Sequence, residues 1–309
     1  MSLHSTRRSF LKRATLLFGA SAMATSHAHE KVPEPEDIWA FAADMHIADG
    51  SNPPPEYNVR FQSVITAMLA EPVKPRRLFL LGDNVASGTQ GQYQRLLAIL
   101  KPLVDAGIGI HASLGDHDNL AQYRAIREQL LPASVPENRE ESITHIVHTE
   151  PWGEGEDKHL EIIETKRANF FVLDSLVKTN QEEGEFGKNQ LDWLANELEQ
   201  RQDKPAILMA HHAAVNASYG GLADAVPFWQ RLGSRRQVKA YFFGHGHFWI
   251  HYRLGRIHQV GFPATSRCPP LSVLGWVLMT LDDDGARLTL KTCDPHHPRN
   301  GENVLLKWQ

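Results

Sequence analysis

Five times in this chain a short apolar run gives way to a loop that carries aspartate, histidine or both. Ile38 to Ala43 leads to Asp44-Met45-His46, and Arg77 to Leu81 leads to Gly82-Asp83-Asn84. Ile108 to Leu114 leads to Gly115-Asp116-His117-Asp118, and Ala206 to Met209 leads to His211-His212. Val238 to Phe243 leads to Gly244-His245-Gly246-His247. Runs this short, apolar at nearly every position, read as strands buried on both faces. Loops of hard oxygen and imidazole ligands at a series of strand ends are what a dinuclear metal site requires.

The segments between these runs supply the other elements. Tyr57 to Ala70 repeats apolar residues at helical spacing (Phe61, Ile65, Met68, Leu69), as do Gln90 to Val104 and Gly187 to Gln200. Three strand–loop–helix units in succession predict a βαβ-built sheet. Ile143 to His148, His159 to Glu164 and Asn169 to Leu173 read as shorter strands with charged connections. The stretch Glu137 to Lys158 is expected to form loops facing the substrate. Past Phe248 the chain is strand-rich, with runs at Ile250 to Leu254, Ile257 to Val260, Trp276 to Leu281 and Leu288 to Thr292. The expectation is an α/β domain over residues 38–309, two sheets packed face to face with helices outside.

Charge and cysteine content exclude several classes. A formal net charge of -4 gives no electrostatic footprint for nucleic acid or an anionic membrane. Two cysteines make neither a disulfide framework nor a Cys-rich zinc site. Cys268 and Cys293 read either as one bridge in an oxidising compartment or as two unpaired thiols. At the N-terminus, Thr6-Arg7-Arg8-Ser9-Phe10-Leu11-Lys12 resembles the twin-arginine export signal, and a mildly apolar stretch follows from Ala14 to Ala24. That stretch is too short and too weakly apolar to span a bilayer. Residues 1–28 are expected to be a signal peptide and 29–37 a linker. The mature protein is then periplasmic or secreted, carried folded by the twin-arginine machinery.

A metal pair roughly 3.5–4 Å apart needs a shared ligand, and a carboxylate with two oxygens can serve. Glycine before it lets the backbone turn sharply, so Asp83 in Gly82-Asp83 suits that role. The ordered set of motifs resembles the calcineurin-like metallophosphoesterase family, whose pattern is D-x-H, G-D, G-N-H-D/E, H and G-H-x-H. The resemblance spans residues 44–247 and implies a four-layer α/β/β/α sandwich, two mixed sheets flanked by helices. It implies that Asp44, His46 and His247 hold one metal, that Asp116, His211 and His245 hold the other, and that Asp83 bridges them. It also implies that a hydroxide shared by the metals attacks phosphorus in line, with His117 beside them as the catalytic group. Asp118 is expected to orient His117. The ions are Fe, Mn or Zn, which Asp and His ligands accept alike. The expected substrate is a small-molecule or lipid phosphoester, a monoester or a diester.

Two departures from the family pattern matter. Asp116 stands where asparagine is usual, which removes one positive charge from the loaded site. Tighter metal binding and a weaker pull on a dianionic monoester are expected. Ala86 stands where the purple acid phosphatase branch has a tyrosine ligand, so no tyrosinate colour is expected. The alternative reading is a non-catalytic or altered-activity metal-binding protein on the same fold; the retained His117 argues against it. His212 reads as a neighbour of the ligands rather than a ligand. His111 and His251 read as strand residues, His296-His297 as an exposed turn, and Trp249 as core. Arg267 reads as a solvated surface residue, with contact to a substrate phosphate as the other option.

Overall fold

The structure, a computed structural model, describes residues 37–50, 54–132, 144–148, 152 and 157–308. The signal-peptide reading of residues 1–28 and nearly all of the linker lie outside the described residues. In chain order the elements are β1 (Ile38–Ala42), α1 (Glu56–Ala70), β2 (Arg77–Leu81), α2 (Gln90–Asp105), β3 (Gly109–Ser113), α3 (Leu120–Ile126), β4 (Thr144–His148), β5 (Leu160–Glu164) and β6 (Asn169–Val172). There follow α4 (Lys188–Gln200), β7 (Ala206–Met209), β8 (Ala213–Asn216), β9 (Gly221–Leu222), α5 (Ala225–Leu232), β10 (Val238–Phe243), β11 (Ile250–Leu254) and β12 (Ile257–Gly261). The chain closes with β13 (Gly275–Leu281), β14 (Gly285–Thr292) and β15 (Asn303–Lys307).

Alternation along the strands sets the layers. Trp39, Phe41, Phe79 and Leu81 point into a core shared with Ile207, Met209 and Phe242 of the opposite sheet. Their neighbours Ala40, Ala42, Leu78 and Leu80 point the other way, onto Phe61, Ile65, Leu96 and Leu100 of α1 and α2. In the second sheet Leu208, Tyr241 and Phe243 face outward onto Leu191, Leu194 and Phe228 of α4 and α5. Period-2 strands with both faces covered give four layers, helices–sheet–sheet–helices. The expected architecture is the observed one.

The first sheet has the order β15-β14-β13-β1-β2-β3 and the second β11-β12-β10-β7-β6-β5-β4. Strands β1, β2 and β3 run parallel, as do β6, β7, β10 and β12, and antiparallel strands complete both sheets. The five ligand-bearing loops follow β1, β2, β3, β7 and β10. All five belong to the parallel sets, which places ligands at strand carboxyl ends. No helix among the described residues is long and apolar enough to cross a membrane. Trp249 is core, as expected. Sequence reasoning missed α3, α5, β8, β9 and β15.

Candidate metal centre

The five loops converge through unusual backbone. Among the described residues, seven non-glycine residues have positive φ, and five of them are Asp44, His46, Asp83, His245 and His247. Left-handed backbone costs most residues about 1–2 kcal/mol, although Asp and His tolerate it better than others. It lets Asp44 and His46 direct both side chains toward one half-site, and lets His245 and His247 direct theirs to the two half-sites on either side of Asp83. Glycines make the room. A Cβ on Gly115 would collide with Asp83, and one on Gly82, itself at φ +82°, would collide with the His211 ring.

Asp83 lies at the middle. Its Oδ2 is 3.4 Å from His46 Nε2, and its Oδ1 is 3.4 Å from His211 Nε2. On one side Asp44 Oδ1 lies 3.2 Å from His247 Nε2. On the other, Asp116 Oδ1 lies 3.2 Å from both His211 Nε2 and His245 Nδ1. Ligand atoms of Asp44, His46 and His247 fall within 4.8 Å of one another, as do those of Asp116, His211, His212 and His245. All seven expected ligands are therefore brought together, in two groups with Asp83 between.

The donor set fits a pair of cations. Asp44 Oδ2 and His46 Nε2 are buried and have no hydrogen-bond partner, an expensive state unless something else satisfies them. Burial alone would raise the pKa of Asp44, yet the neighbouring His247 outweighs it and brings the group to about 2. Burial lowers His46 to about 4, which keeps its lone pair free for a metal. Asp116 is likewise held below the ordinary carboxylate range: burial opposes this, and hydrogen bonds from His211 and His245 prevail.

His117 sits beside this group without joining it. Its Nδ1 is 2.8 Å from the carbonyl of Ala86, so the ring donates there and turns Nε2 toward the site, 3.5 Å from Asp116 Oδ2. The orienting role expected for Asp118 thus falls to a backbone carbonyl. Asp118 is fully buried and accepts hydrogen bonds from the amides of Asn84, Val85 and Gly115 and from the Tyr93 hydroxyl. Burial and the charge of Asp83 push it up to about 7. It knits the second and third ligand loops together and does not touch the imidazole. His212 is committed at both nitrogens, to Ser175 Oγ at 2.8 Å and to the Glu182 carbonyl at 2.9 Å. It supports the wall behind His211 and His245, as read from sequence.

A cavity of about 670 Å³ opens over the group, walled by His117, Asn180, Glu182, Arg267 and Cys268 among others. Arg267 is exposed and has no carboxylate partner among the described residues. Its loop is pinned at both ends: Ser266 Oγ donates to the Asp44 carbonyl and Ser272 Oγ to the His247 carbonyl. The surface residue of the sequence reading is a cavity-wall cation. The wall comes from residues 180–182 and 267–269, whereas the described part of Glu137 to Lys158 includes β4 at a sheet edge. Both cysteines are free thiols.

Residues 40–248 match the sequence model of calcineurin-like phosphoesterases, about two thirds of the chain. The chain belongs to that family. Among solved structures it resembles a dimetal phosphatase from Danio rerio (TM-score 0.63, 13% identity, 89% of this chain and 100% of that one). It also resembles GAP50, the anchor in the inner membrane complex of Plasmodium (TM-score 0.57, 11% identity, 88% and 89%). At such identities the likeness carries the architecture. No curated protein matches the sequence. Family membership makes the protein a metal-dependent phosphoesterase, and the converged Asp and His side chains are its candidate ligands.

Proposed function

We propose that this metallophosphoesterase is an exported hydrolase of phosphate esters, favouring singly charged diesters over dianionic monoesters. Asp44, His46 and His247 would hold one transition-metal ion and Asp116, His211 and His245 the other, drawn from Fe, Mn or Zn. The observation that carries the reading is Asp83, whose two oxygens face one histidine of each group at equal 3.4 Å separations. When bound, the ion pair supplies an activated water and neutralises charge on the phosphoryl oxygens.

The chain's own residues do the rest. Asp83 fixes the separation of the two half-sites. With Nδ1–H engaged by Ala86, His117 can carry its second proton only on Nε2, which faces the cavity; from there the proton passes to the leaving oxygen. Arg267 meets negative charge at the cavity wall with a planar, permanently charged donor. Asp116 adds a carboxylate where asparagine is usual, so the loaded site attracts a dianion less strongly than a monoanion. Export by the twin-arginine route rests on Thr6 to Lys12 alone, and would deliver the folded, metal-loaded protein to the periplasm or beyond.

The test is turnover of an aryl phosphodiester and an aryl monophosphate by metal-reconstituted protein. Turnover of the diester ahead of the monoester is expected. Failure to turn over either, with two ions bound and His117 intact, would favour the non-catalytic metal-binding reading.

A further inference from the structure

The layer between the two sheets is apolar along most of its length, and one end departs from that. Glu161 on β5 is two residues from Ile163, which packs in the inter-sheet core, while the intervening Ile162 packs outside. Glu161 therefore points inward. His111 on β3 pairs in register with inward-facing Phe79, and His145 on β4 pairs with Ile163. One sheet thus supplies an imidazole and the other an imidazole and a carboxylate. His111 Nδ1 lies 2.5 Å and His145 Nε2 2.8 Å from Glu161 Oε2. A third imidazole, His159 Nε2, lies 2.5 Å from Oε1.

We propose that His111 Nδ1, His145 Nε2 and Glu161 Oε2 form a third metal site, taking one Zn²⁺ or a similar divalent ion and clipping the sheets together at this edge. Two histidines and a glutamate are an established zinc donor set, completed by water at the fourth position. The three ligand atoms lie within 4.8 Å of one another. His159 has the supporting role such sites need, a hydrogen bond to the carboxylate's other oxygen that fixes its orientation. His145 is a quarter exposed (24%), which gives the ion and its water a path from solvent, whereas Glu161 is almost wholly buried.

Charge and tautomer favour the ion. A carboxylate buried in a poorly solvated layer gains from a cation bound beside it. The His111 ring is buried and turns Nδ1 toward Glu161. Its Nε2 is buried with no partner, so nothing on that side locks the tautomer, and the ring can carry its proton there and offer Nδ1 to a metal. Bonds of about 2.0–2.1 Å in tetrahedral geometry set ligand atoms roughly 3.3 Å apart. The present 2.5 and 2.8 Å are the metal-free spacing, closed by N–H donation. Binding opens each gap by less than about 1 Å.

The full chain, loaded with Zn²⁺ and stripped of loosely held metal, is compared with His145→Ala by elemental analysis. The expected result is one ion per chain fewer in the variant, with turnover of the aryl phosphodiester unchanged. Anomalous scattering at the zinc edge from wild-type crystals is expected to show a peak bonded to Glu161, apart from the catalytic pair. Equal metal content in the two proteins, or no such peak, would overturn the proposal and leave a hydrogen-bonded cage. Should the variant fail to fold, the anomalous map decides alone.

Discussion

Two groups of carboxylates and imidazoles lie in this molecule, and the backbone beneath them differs. At the strand ends, Asp83 and four of the residues that converge on it have positive φ. Around Glu161, His111, His145 and Glu161 itself sit in regular strands, His159 stands just before β5, and none has positive φ. Spacing differs too. Acid–imidazole separations are 3.2–3.4 Å among the strand-end ligands but 2.5–2.8 Å around Glu161. The first group is held apart by strained loops that the surrounding sheets must support; the second has closed on itself. Strain of this kind gathers where geometry serves chemistry. The contrast assigns reactivity to one group and cohesion to the other.

The sharpest way to break this division is to remove the central carboxylate of each group. Asp83→Asn is expected to abolish turnover and to lower metal content, because one oxygen can no longer serve both half-sites. Its unfolding midpoint in chelator should move little, since the metal-free site holds buried atoms that already lack partners. Kinetics, elemental analysis and thermal melts check all three. A large loss of metal-free stability would show that the strand-end group also holds the fold together.

Next in size is His117→Gln. General acid catalysis typically contributes about 10²–10⁴-fold, and that loss is expected in kcat for alkyl esters. Aryl esters with good leaving groups should suffer far less, because they need no proton. Glutamine can still donate to the Ala86 carbonyl, and metal content should stay at the wild-type value. An equal loss for both leaving groups would remove His117 from the proton-donor role.

Glu161→Ala tests the other half of the comparison. It leaves three imidazoles without their acceptor inside a packed layer, a cost of roughly 3–5 kcal/mol. Denaturant unfolding should show this, while turnover per folded molecule stays near wild type. If the variant instead keeps its stability and loses activity, cohesion and chemistry have been assigned the wrong way round.

Much of this was legible in the sequence because the ligands follow strands. A strand buried on both faces announces itself as an apolar run, and the loop after it can be located to within a residue or two. All seven expected ligands converge for that reason. What stayed hidden depends on partners far along the chain or on backbone atoms. The Ala86 carbonyl that orients His117 has no side-chain signature, so the adjacent Asp118 was given its role. His111 read as an ordinary strand residue because Glu161 lies fifty positions away. Arg267 sits in a loop with no periodicity, and only the serines pinned to Asp44 and His247 reveal where it is held. Helix α5 has eight residues and an internal Pro227, too little pattern to register.

The smallest expected effect concerns Asp116, which stands at a ligand position where the family pattern has asparagine. Its Oδ1 lies 3.2 Å from two imidazoles, and its Oδ2 faces His117 at 3.5 Å. Asp116→Asn keeps the shape and an oxygen ligand but removes one negative charge. Affinity for the ion on the His211 and His245 side should fall by roughly tenfold or more. The freed positive charge should then raise kcat/KM for an aryl monophosphate relative to an aryl phosphodiester, measured at saturating metal. These two shifts follow from the same lost charge, so they must appear together. A weaker ion with an unchanged substrate ratio would mean that Asp116 serves the metal alone. An altered ratio with unchanged affinity would place its influence on the leaving group, through His117.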